Sequence, residues 1–87
     1  MKVKLLTFYP FEVSPRRPRL LGYADVELEE ALVIRGIKLY EAKNGGYFIA
    51  MPEFHQTRRA VVEVKNRELL ESIRRVVVDY YKENLRA

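Results

Sequence analysis

The chain has 87 residues, no cysteine and a formal net charge of +4. A chain this short buries only about 60–65% of its unfolded surface, so a single domain with a thin core is expected, and self-association is a usual remedy. Without Cys there are no disulfides, thiolate metal sites or thiol nucleophiles. No apolar run reaches the roughly 18 residues of a membrane span. The N-terminus alternates Lys and Val in place of a signal-peptide core, so a cytoplasmic protein is expected.

The charge is uneven along the chain. Residues 1–20 carry five basic and one acidic side chain, residues 21–57 three and six, and residues 58–87 eight and five. Basic ends around an acidic middle suit a polyanion bound by part of the surface, although they serve solubility equally well.

Residues 2–12 alternate well enough for a first strand, with Tyr9-Pro10-Phe11 marking an edge or bend near its end. The run Ser14-Pro15-Arg16-Arg17-Pro18-Arg19 is a loop, because its two prolines exclude helix and central strand. Residues 20–28 alternate strictly, with Leu20, Gly22, Ala24, Val26 and Leu28 on one side and Leu21, Tyr23, Asp25 and Glu27 on the other. That is the period-2 mark of a strand with one buried face. Glu29-Glu30-Ala31 shapes a short connection to the next strand, residues 32–41. Asn44-Gly45-Gly46 then supplies residues that tolerate positive φ, the requirement of a tight hairpin. A strand over residues 47–51 ends at Pro52.

Residues 53–59 read as a polar loop, and residues 60–64 as a short extra strand. Asn66 is placed to cap a helix, and Glu68 favours the positive end of its dipole. From Arg67 to Arg86 the period changes from 2 to 3.6. Leu69, Leu70, Ile73, Val76, Val77, Tyr80 and Tyr81 fall in one arc, while Arg67, Arg74, Arg75, Lys82 and Arg86 lie opposite with Val78 and Leu85 among them. Strands first and one long helix last predict an α+β fold, an antiparallel sheet with the C-terminal helix packed on one face. Exposed strand edges and a thin core predict a sheet-mediated homodimer.

The span from Ile37 to Pro52 resembles the stage V sporulation protein G family of septation regulators. The residues that carry the likeness are the basic-bearing strand from Ile37 to Tyr40, the Asn44-Gly45 turn, and Phe48-Ile49-Ala50-Met51-Pro52. In order of elements the likeness covers roughly residues 20–83, as in a distant member. The resemblance implies a small homodimeric α+β protein that binds DNA and RNA and regulates sporulation, septation or virulence genes; no cofactor and no membrane partner are expected.

The nucleic-acid-binding candidates are Arg58, Arg59, Arg67, Arg74, Arg75 and Lys82. A row of guanidinium and ammonium groups can neutralise successive phosphates and release counterions. The competing reading is a solvated helix face with local pairs such as Glu71–Arg75. The Arg16-Arg17-Pro18-Arg19 loop reads more as a soluble connection than as a phosphate-contacting arm. The tyrosines invite base stacking, yet Tyr80 and Tyr81 belong to the helix's apolar arc, and nothing reproduces the aromatic motif of an RNA-recognition sheet. His55 stands without converging partners, so neither catalysis nor metal binding is expected there. A protein-interaction module that docks an acidic partner is the rival function, and an enzyme ranks third.

Overall fold

Two hairpin turns and one close backbone approach set the architecture. The computed structural model describes all residues except 12–14, 58, 60, 86 and 87. Its elements are β1 (Val3–Pro10), β2 (Arg19–Leu28), β3 (Leu32–Glu41), β4 (Tyr47–Ala50) and α1 (Arg67–Asn84), and the strands form one antiparallel sheet in the order β1-β2-β3-β4. This is the expected α+β arrangement of a sheet followed by one C-terminal helix.

Between β2 and β3 the chain reverses with both Glu29 (φ 54°) and Glu30 (φ 55°) in the left-handed region, and the Ala31 amide donates to the Leu28 carbonyl at 2.9 Å. The same turn anchors the start of β1: the Glu29 amide donates to the Lys2 carbonyl at 2.9 Å, and the Lys2 amide donates to Glu29 Oε1 at 2.8 Å. Between β3 and β4, Gly45 takes φ 89°, where a β-carbon would be strained. Its amide donates to the Ala42 carbonyl at 3.0 Å, and the Gly46 amide donates to Asn44 Oδ1 at 2.8 Å. The Asn-Gly-Gly reading of this turn therefore holds.

Along β2 the alternation is interrupted. The register with β3 shifts between Leu20 and Gly22 and again between Ala24 and Val26. The first shift buries Leu21, which strict alternation assigns to the outer side, and leaves Leu20 half-buried. A bulge changes facing by one residue, which no period-2 pattern anticipates. At Gly22 the chain passes close against β1. A β-carbon there would lie 2.5 Å from Phe8 Cζ and 2.6 Å from the Tyr9 carbonyl oxygen.

The core lies between the sheet and α1. Phe8, Leu21, Ala24, Val26, Leu28, Ile34, Ile37 and Leu39 meet Ile73, Val77 and Val78 of the helix. Asn66 caps α1 as expected, its side-chain oxygen accepting from the Leu69 amide at 2.9 Å. The helix ends at Asn84, and Arg86 lies outside the described residues.

The helix is rolled relative to the expected arc. Val78, expected on the charged side, is 4% exposed, while Leu70 and Tyr80 are exposed at 36% and 37%. A helical wheel weighs the helix alone. It contains nothing about which flank the sheet occupies, and here the line through Arg74, Val78 and Lys82 faces the β4 side.

The expected strand over residues 60–64 does not form among the described residues. Ala60 lies outside them, residues 61–64 join no ladder, and Val62 and Val64 pack against the core from an extended segment. Before it, the Phe54 amide donates to the Arg59 carbonyl at 2.8 Å and the Val61 amide to the Pro52 carbonyl at 2.9 Å, so the chain makes a small excursion beyond β4 and returns beside Pro52.

Candidate nucleic-acid interface

The helix-side face ends in a basic corner built from two distant parts of the chain. In the register of the sheet, Arg19 lies opposite Glu41, and Glu41 lies opposite Tyr47. Glu41 is 8% exposed and holds two guanidinium groups: Arg19 at 2.6 Å and Arg17 Nη2 at 3.4 Å. Burying a carboxylate requires such partners. From above, α1 adds two more cations at Tyr47. Arg74 Nε donates to the Tyr47 carbonyl at 3.0 Å, and Lys82 Nζ stands 5.4 Å from the centre of the Tyr47 ring. Adjacent strands lie about 4.8 Å apart, so the step from Arg19 to Tyr47 spans only about 10 Å.

Arg74 thus differs from its expected position. It is half-buried and locks the helix to β4, with Glu71 Oε1 at 3.0 Å from its Nη1. Lys82 remains exposed while lying over an aromatic face, an arrangement in which the ring quadrupole favours a cation. Arg75 and Arg67 are exposed on another strip of the helix. Arg59 is exposed in the excursion beyond β4, and Arg58 lies outside the described residues. Of the six candidates, then, Arg74 and Lys82 are brought together and joined by Arg17 from the loop and Arg19 at the start of β2. The loop residues at 15–18 are exposed, and the side chains of Arg17 and Arg19 are turned onto Glu41.

The opposite face of the sheet carries no helix, and there the aromatic residues collect. One row across all four strands reads Tyr9, Tyr23, Lys38 and Ala50, and a neighbouring row reads Leu20, Tyr40 and Phe48. The Tyr40 and Phe48 rings stack at 5.0 Å with an interplanar angle of 11°, and Phe11 meets Tyr23 edge-on at 6.4 Å. Near the middle, Asp25 is 4% exposed. Its carboxylate accepts from the Gly36 amide at 3.1 Å, from Arg35 Nη1 at 3.0 Å, and from the Tyr9 hydroxyl at 3.4 Å. Gly36 has φ 79°, and this bulged backbone turns its amide toward β2.

The tyrosines therefore divide by face. Tyr47, Tyr80 and Tyr81 cluster on the helix side, whereas Tyr9, Tyr23 and Tyr40 lie on the open side. Alternation alone can reveal the second group, since Tyr23 stands among the outward residues of β2 and Tyr40 shares a face with Lys38. What alternation lacks is any sign of which face the helix covers.

No described helix is long and apolar enough to cross a membrane. No curated protein and no solved structure matches the chain. A family model does: the SpoVG model matches residues 1–83, a span that includes β1 and the Pro-Arg loop as well as the hairpin from Ile37 to Pro52. The chain belongs to the SpoVG family of sporulation and septation regulators.

Proposed function

We propose that this regulator acts by binding nucleic acid, DNA and also RNA, and that the basic corner at the Glu41–Tyr47 end of the sheet is where the phosphate backbone rests. The observation that carries the reading is the convergence of Arg17 and Arg19 with Arg74 and Lys82 around one row of the sheet. Four cations face two carboxylates there, Glu41 and Glu71, which leaves a local positive excess on elements held rigid by the fold. Cations already held in place release counterions on meeting a phosphate backbone without a large ordering cost. Arg75 and Arg67 extend the positive surface along the helix. In this reading the protein works as a homodimer joined along the edge strands β1 and β4, whose outer backbone groups lie outside the described ladders. Light scattering at micromolar concentration tests that assembly, and a monomer would refute it.

Binding is tested with Arg17→Gln, Arg75→Gln and Lys82→Gln combined, leaving Arg74 in place because it holds β4. Circular dichroism should be unchanged. Affinity for duplex DNA should fall, and the logarithmic salt slope should flatten by about 0.9 for each phosphate no longer neutralised. Equal binding by variant and parent at every salt concentration would overturn the reading and favour an acidic protein partner.

A further inference from the structure

The open face of the sheet has the composition of a stacking platform. Tyr9, Phe11 and Phe48 are 51%, 52% and 41% exposed, and each touches a partly covered ring or its hydroxyl partner that holds it in place. Four strands at about 4.8 Å spacing make the row from Tyr9 to Ala50 about 14 Å wide, room for a few unpaired bases. Every base has a π-face, so such rings bind single strands with little regard to sequence.

Two observations separate this occupant from a second copy of the chain. First, charged groups stand within the aromatic field: Lys38 in the central row, bridged to Glu53 at 3.7 Å, and Arg35, 70% exposed on its pair with Asp25. Burying these under another sheet would desolvate them at a cost that ion pairing seldom recovers, and the centres of protein interfaces are depleted in charged residues. A nucleic-acid strand leaves its phosphates near the cations and in water. Second, the face ends beside the basic corner. The row of Leu20, Tyr40 and Phe48 on the open side is one register step from the row of Arg19, Glu41 and Tyr47, which faces the helix. A backbone that rounds this end of the sheet can set its phosphates by Arg17 and Arg19 on one side and its next bases on Tyr40 and Phe48 on the other.

We infer that this face binds unpaired bases, which makes single-stranded DNA or RNA the preferred ligand class over duplex. The inference rests on the nucleic-acid reading above and deepens it.

The test compares labelled oligo-dT and oligo-rU with a duplex of equal charge, using the full chain, the Tyr9→Leu/Phe48→Leu variant and the triple Gln variant. The parent should bind the single strands more tightly than the duplex. The Leu variant should lose roughly tenfold or more for each stacked ring removed, with its salt slope unchanged because no charge is removed, while duplex binding stays as in the parent. The triple Gln variant should instead flatten the slope for both ligands. Single-strand affinity within twofold of the parent in the Leu variant would overturn the inference while leaving the basic corner standing. A parent that binds neither ligand would overturn both readings. If the Leu substitutions convert a dimer to a monomer in light scattering and leave affinity unchanged, the face belongs to a second copy, and the inference fails. Melting of each variant by circular dichroism establishes that the fold survives.

Discussion

The two faces of the sheet are built from the same strands and hold opposite kinds of order. On the helix side, Ala24, Val26, Ile37, Leu39, Ile73 and Val77 exclude water by apolar packing. On the open side, aromatic rings remain exposed to solvent, and the Asp25 carboxylate is deeply buried, fixed by three donors. Burial stabilises the first face. Hydrogen bonds and ring contacts organise the second while leaving it accessible. Under the binding inference drawn above, folding and binding fall to opposite sides of one sheet, and substitutions on the two sides should therefore behave differently.

The largest effect should come from Gly22→Val. The new β-carbon would meet the Tyr9 carbonyl at 2.6 Å, and backbone cannot give way as a side chain can. A loss of about 3 kcal/mol is expected from overpacking, a fall in melting temperature of about 12–24 °C in a domain of this size. A normal melting temperature would show that β1 and β2 do not approach so closely.

A middling effect should follow from Val78→Ala. Removing two buried methyl groups costs about 2 kcal/mol with the cavity included. An unchanged urea midpoint would mean that the helix is rolled back toward the arc read from its hydrophobicity, with Val78 on the solvated side.

The smallest effect on stability should belong to the open face. Phe48→Leu gives up ring stacking at an exposed position and should cost less than about 1 kcal/mol. A loss as large as that of Val78→Ala would erase the contrast between the faces and make the rings structural.

Much of the fold is legible in the residues themselves. Period-2 runs and the turn residues Asn44, Gly45 and Gly46 locate β2, β3 and β4, because local backbone preferences are strong where φ must be positive or side chains must alternate. The change of period after Asn66 locates α1, and Asn66 supplies its cap. The spacing from Ile37 to Pro52 points to the family whose model matches residues 1–83. What only the tertiary structure decided is how these pieces face one another. Bulges at Leu20/Gly22 and Ala24/Val26 moved Leu21 inward and fixed Asp25 on the Gly36 amide. The roll of the helix buried Val78 and carried Arg74 and Lys82 to Tyr47, where the Pro-Arg loop meets them through Glu41. Facing and proximity depend on contacts between residues far apart in sequence, and a local pattern, however regular, contains no term for them.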